Sequence, residues 1–162
     1  MKKTFFILGA LALFSALIAG AIYLAVEPPS KSAERREEAR VAIGGHEFLA
    51  RVADSEEERR RGLMGVEVMR EDEAMLFVFP SAAPREFWNK NTLLDLDIIW
   101  VLDNKVVGIS FLPRESERGV VTVHSPGNAD AVVEVNAGEV ARRGIKIGDE
   151  ARVIEERKYS GL

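Results

Sequence analysis

The apolar and polar positions divide the chain into two unlike stretches. From Thr4 to Val26 twenty-three residues carry no charge and show no polar face of the kind a helix on a soluble core would keep. A helix of that length reaches about 34 Å, slightly more than the hydrocarbon core of a bilayer. After it the pattern turns to short alternating runs. Val41–Ile43 and His46–Val52 flank Gly44-Gly45 and predict a hairpin with a two-residue primed turn. Ser55 with Glu58 three residues on predicts a capping box for a short helix that Gly65 can close. Met75 to Phe79 is a continuous apolar run ended by Pro80, which suits a strand buried on both faces. Leu96–Leu102 and Lys105–Leu112 predict paired strands joined at Asp103-Asn104. Val120–His124 and Ala131–Val135 read as further strands. Asn136 then caps a helix ending near Gly144, and Glu150–Glu156 alternates as a last strand.

These elements imply a mainly β fold with short helices (β or α+β), a compact β-barrel or sandwich of about seven to eight short strands. One N-terminal transmembrane or signal helix precedes it. The expected organisation is a signal peptide or membrane anchor over 1–26, a charged linker over 27–40 and a β-rich domain over 41–162. Pro28-Pro29 ends the apolar helix, and Glu34/Glu38 with Arg36/Arg40 give the linker helical charge spacing. Lys2 and Lys3 with Ala19-Gly20-Ala21 fit a cleavable signal. Ile22 to Val26 lengthen the apolar run and favour an uncut anchor. A three-residue tail before the segment most simply stays in the cytoplasm. The expected location is therefore membrane-anchored with the domain outside the cytoplasm, or secreted or periplasmic after cleavage.

Charge narrows the partners. Residues 41–162 hold 16 Lys and Arg against 22 Asp and Glu, a net charge of −6, with no basic stripe. Such a surface repels phosphate backbones and excludes nucleic acid as the expected partner. With no cysteine, disulfides, thiolate metal sites and cysteine nucleophiles are impossible. His46-Glu47 and His124 are the only nitrogen-bearing candidates for a metal, without helical ligand spacing, and the reading calls for no metal and no cofactor. No serine stands in a nucleophile motif, and Gly44-Gly45 is no phosphate loop.

The richest polar cluster is Trp88, Asn89, Lys90, Asn91, Thr92, Asp95 and Asp97, between two apolar strands where a loop can present it at a rim. Trp88 would supply a stacking platform, Asn91 and Asp97 hydrogen bonds, and Lys90 an anion contact for a sugar or peptide. Thr92, Arg61 and Met64 complete the candidate ligand site. The competing reading is structural: Asn and Thr satisfy turn backbone, Asp97 pairs with Arg61 or Lys90, and Trp88 fills the core. Asp95 and Asp97 also suggest an acid and base pair for hydrolysis, because spacing of two on a strand shares one face. Arg59-Arg60-Arg61 after Glu56-Glu57-Glu58 reads as a self-paired solvated helix face.

Several of these segments carry a family resemblance. Arg60-Arg61-Gly62-Leu63-Met64-Gly65, Ala74–Phe79, Phe87-Trp88-Asn89-Lys90-Asn91-Thr92-Leu93 with Leu96-Asp97-Ile98-Ile99, Val133–Gly138 and Gly144–Asp149 closely resemble the family called domain of unknown function 192. The resemblance covers about residues 40–155. It departs at Asn89, where the family usually has Met, at Asp95 for Pro, and at Ala74 for Gly. It implies a compact β-rich fold and frequent export, and no activity. The function expected from residues and resemblance together is a binding or accessory module of the cell envelope. The alternatives are an envelope hydrolase using Asp95 and Asp97, or a structural partner of another envelope protein.

Overall fold

The computed structural model describes residues 37–158. The apolar segment 4–26 and most of the linker lie outside the described residues. The elements are β1 (Glu37–Ile43), β2 (His46–Ala53), α1 (Glu56–Arg61), β3 (Glu73–Trp88), β4 (Leu96–Leu102), β5 (Lys105–Leu112), α2 (Glu115–Arg118), β6 (Thr122–Asn136), α3 (Glu139–Arg143) and β7 (Ala151–Lys158). The seven strands form one sheet in the order β5-β4-β6-β3-β2-β1-β7. Only β2 and β3 run parallel, joined by the crossover that carries α1. The sheet curls into a half-barrel whose two edge strands meet at one end. There the Val106 N–H donates to the Asp149 carbonyl, and the Ala151 N–H donates to the Asn104 carbonyl, both at 2.9 Å.

Both faces of the curled sheet are packed, which the period-two pattern of its strands requires. One face buries Val41, Ile43, Phe48, Leu76, Ile99 and Val133. The opposite face buries Met75, Phe77, Ile98, Trp100 and Val132, with Leu63 and Met69 from the segment after α1 closing over it. Trp100 is fully buried, and its indole N–H donates to the Ser110 hydroxyl at 2.9 Å. Gly108 lets β5 approach β6: a Cβ there would stand 2.7 Å from Pro126 Cγ and 3.1 Å from Trp100 Cδ1.

The primed hairpins form as the turn residues predict, with positive φ at Gly44 and Gly45 and at Asp103 and Asn104. The Ser55–Glu58 capping box is also present, both reciprocal bonds included. The helix closes earlier than expected, at Gly62 and not at Gly65, the Gly62 N–H donating to the Glu58 carbonyl. Four further details differ. β1 reaches back to Glu37, so the last residues of the expected linker are strand; Ala39 is buried in line with Val41 and Ile43. β3 does not stop at Pro80. Pairing with β2 ends at Phe77, and pairing with β6 lapses between Val78 and Ala83, so Pro80 forfeits no ladder bond; Pro84 stands opposite Asn128, where pairing with β6 has resumed. The two segments expected over 120–135 are one strand, β6, which follows β3 along its length. Finally, α3 is not capped by Asn136, whose amide donates instead to the Met69 and Arg70 carbonyls at 2.8 and 3.2 Å. The cap is Asp97, whose Oδ2 accepts from the Gly138 and Val140 N–H groups at 2.9 and 3.1 Å.

Candidate functional site

Beyond Phe77, β3 leaves β2 and runs on with β6 alone, and a cleft of about 450 Å³ opens between this part of β3 and α1. Its lining includes Arg59 and Arg60 from α1 with Phe79, Arg85, Phe87 and Trp88 from β3. Phe87 roots the floor in the core, packing edge-on against Phe77 at 4.8 Å and Trp100 at 5.5 Å between ring centroids. Arg85 stacks over the Phe79 ring at 3.8 Å and Arg59 approaches the same ring at 5.3 Å. Cation–aromatic attraction explains why two like charges share this ring.

Both guanidiniums are bound to backbone carbonyls, Arg59 to Asp54 and Val78, Arg85 to Ser81 and Ala129. Neither has a carboxylate partner among the described residues. Burial, followed by repulsion from Arg59, pushes the Arg85 pKa down. The cleft therefore sets three arginines against two glutamates, Glu56 and Glu86, over an aromatic floor, on a domain whose overall charge is negative. Trp88 stands at its lip, 46% exposed, with the Lys90 ammonium 5.4 Å from the centre of its ring.

The sequence-predicted residues fall into three groups. Trp88 lines the cleft and does not fill the core, and Lys90 lies beside its ring. Met64, Asn91 and Thr92 belong to a framework that ties the segment after α1 to the turn after β3. Met64 bridges Thr92, which is only 5% exposed, and the Gly65 N–H donates to the Asn91 carbonyl at 2.9 Å. Asn91 holds a left-handed φ of 54°, and its N–H donates to the Glu115 carboxylate. Arg61 is the exposed last residue of α1, and its carbonyl accepts from the Met64 N–H at 3.0 Å.

Asp97 stands apart. Its carboxylate is directed to the start of α3, as described above, and not to Arg61 or Lys90. Burial raises its pKa against the two backbone bonds that lower it. Asp95 is bound elsewhere: its Oδ1 accepts from the Arg114 N–H at 2.8 Å and its Oδ2 lies 3.4 Å from the Arg114 guanidinium. The two carboxylates thus engage different elements.

Asn89 anchors the framework. It is fully buried, and its amide nitrogen donates to the Pro113 and Gly119 carbonyls at 2.8 and 3.0 Å while its oxygen accepts from the Val121 N–H at 2.7 Å. Of the histidines, His46 opposes Ile43 in the first hairpin, and His124 lies 3.9 Å from the Glu86 carboxylate on the surface. A second polar group lies in the packed face that holds Trp100. Glu134 is 4% exposed, its Oε2 has no hydrogen-bond partner among the described residues, and burial pushes its pKa up to about 8 against the opposing charge of Arg51.

Sequence reasoning missed Phe79, Arg85 and Phe87 and dismissed Arg59. The available signal was the pair of prolines, Pro80 and Pro84, inside a strand-like stretch. They mark an edge, and an edge leaves the following residues to line an opening.

Fold and cleft define a mainly β, curled-sheet domain with an arginine-rich aromatic cleft at its edge. The chain belongs to the family DUF192, described as an uncharacterized ACR, whose model matches residues 39–153. It is similar to a crystal structure of a protein of unknown function from Novosphingobium aromaticivorans DSM 12444, at 31% identity and a TM-score of 0.68, over 79% of this chain and 91% of that one. It is also similar to a crystal structure from Sinorhizobium meliloti 1021 of a protein whose name proposes a role as a transcription regulator. That likeness has 30% identity and a TM-score of 0.66, over 74% of this chain and 95% of that one. No curated protein matches.

Proposed function

We propose that the protein is a ligand-binding module that works outside the cytoplasm, tethered through residues 4–26 or released after cleavage. One observation carries the binding reading: a cleft whose aromatic floor is overlaid by two guanidiniums bound to backbone carbonyls, without a carboxylate partner among the described residues, with a half-exposed tryptophan at its lip. Guanidiniums that donate to backbone carbonyls beside an opening keep their charge for an incoming anion. The site is centred on Trp88 and Lys90 with Arg59, Phe79 and Arg85. Met64, Asn91 and Thr92 support it, and Arg61 holds the segment after α1.

Asp95 and Asp97 are engaged by Arg114 and by α3, which favours binding over hydrolysis as the role of this region. The regulator role named for the S. meliloti relative is not adopted, because the net charge of −6 over residues 41–162 disfavours nucleic acid. Amide shift mapping with cell-envelope sugars and peptides tests the reading. Shifts should localise to Phe79, Arg85 and Trp88 and vanish in Trp88→Ala. Shifts that never reach these residues reject the cleft as the site. Reporter fusions after residue 162 test the location, and a cytoplasmic reporter signal rejects it. Recovery of one stoichiometric protein from solubilised membranes would favour the structural-partner reading instead.

A further inference from the structure

The strand that forms the cleft has a backbone edge that no described strand covers. Over Ala83–Trp88, β3 pairs with β6 alone, since β2 ends opposite Phe77. Trp88 lies opposite Thr122, and the Asn89 N–H donates to the Val121 carbonyl at 3.2 Å. Bonded and non-bonded pairs alternate along an antiparallel ladder, so the N–H and C=O groups of Glu86 and Trp88 point away from β6. Upstream the edge is blunted: Arg59 occupies the Val78 carbonyl, and Pro80 and Pro84 have no N–H. The open part is thus short, and it runs along the cleft, with Pro84, Glu86 and Trp88 on one wall and Arg59 and Arg60 on the other.

Resting on the reading of the cleft as a ligand site, we propose that this edge seats an extended acidic peptide segment as an added strand. Its backbone pairs with Glu86 and Trp88, and a carboxylate of the segment meets Arg59 and Arg85 over Phe79. Strand addition supplies affinity through main-chain bonds and specificity through alternate side chains, which matches an edge beside a charged cleft. Charge complementarity selects the acidic segment. Both guanidiniums approach the Phe79 ring, and the Arg85 pKa is pushed down by burial and by Arg59, so an anion beside the pair offsets both effects by its charge. Glu86 and Glu56, which also line the cleft, restrict the favourable position for a carboxylate to the neighbourhood of the arginines.

The test uses the full chain in detergent micelles and a capped heptapeptide of alternating valine and aspartate. Titration should shift the Glu86 and Trp88 amides saturably. N-methylation of the peptide nitrogens that would face β3 should weaken binding by about tenfold or more, as should replacing aspartate by asparagine. Arg85→Gln should erase the preference for aspartate. Arg60→Gln, at an exposed helix position, should weaken the acidic peptide about twofold or more with unfolding nearly unchanged. If the N-methylated peptide binds equally, or if glucuronate shifts Trp88 where the peptide does not, strand addition is overturned and the cleft remains a ligand site. If neither probe reaches Trp88, both readings fall.

Discussion

The Arg85 guanidinium lies 3.8 Å from the centroid of the Phe79 ring, on a strand segment that has already left its parallel neighbour. This contact sets the cleft floor, and it is backed by bonds from the same guanidinium to the Ser81 and Ala129 carbonyls. Arg85→Ala removes all of them. It should lower stability by about 1–2 kcal/mol in denaturant unfolding, as the sum of one stacked cation and two carbonyl bonds. Trp88→Ala, at a half-exposed position, should cost under about 1 kcal/mol while removing ligand contact. A reversed order of costs would mean that Trp88 is structural.

Asn89 and Val121 are joined twice, through the Asn89 N–H to the Val121 carbonyl and the Val121 N–H to the Asn89 side-chain oxygen. Asn89→Ala removes the partner of that N–H and of the Pro113 and Gly119 carbonyls, the Pro113 bond being buried and the other two part-buried. The expected loss is about 3 kcal/mol, with amide exchange at Val121 accelerating more than exchange in β1. Uniform acceleration would show that the clasp is not local.

Glu134 gives a pH dependence of definite sign. Its folded pKa of about 8 stands above the ordinary 4.5, because burial disfavours the carboxylate more than Arg51 favours it. The folded state therefore holds the proton more tightly. This contribution is fully present below about pH 4.5 and is lost as pH rises through about 8. Glu134→Gln should remove that decline, so the variant gains on the parent protein between these limits and exceeds it in melting temperature at pH 9. A difference between the two that stays constant with pH would contradict the assignment.

Asp97→Ala removes the acceptor at the start of α3. It should cost about 1 kcal/mol, the usual range for an N-terminal cap, and leave the fluorescence of Trp88 unchanged. A changed Trp88 environment would reconnect Asp97 with the cleft.

Local signals in the chain foretold local structure well. Gly44-Gly45, Asp103-Asn104 and the Ser55–Glu58 box each carry their own backbone geometry, and each appears as expected. The continuity of β3 through Pro80 was not legible, because it depends on which edge of the strand is left unpaired. The same limit hid the site. Trp88 and Lys90 are neighbours in sequence and in space, whereas Arg59 and Arg85 come together only through the β2–α1–β3 crossover. Proximity along the chain groups Asp97 with the Trp88 cluster. Alternation along β4 instead places it with Ile99 and Val101, on the opposite sheet face from Ile98 and Trp100.

The two tryptophans allow one direct measurement of the central claim. Trp88 lies at the cleft lip, and Trp100 is buried with its indole N–H held by Ser110. In a proton–nitrogen spectrum of the full chain, titration with envelope peptides and sugars should move the Trp88 indole resonance saturably and leave that of Trp100 in place. Saturable binding that leaves the Trp88 indole unmoved would contradict the cleft as the binding site.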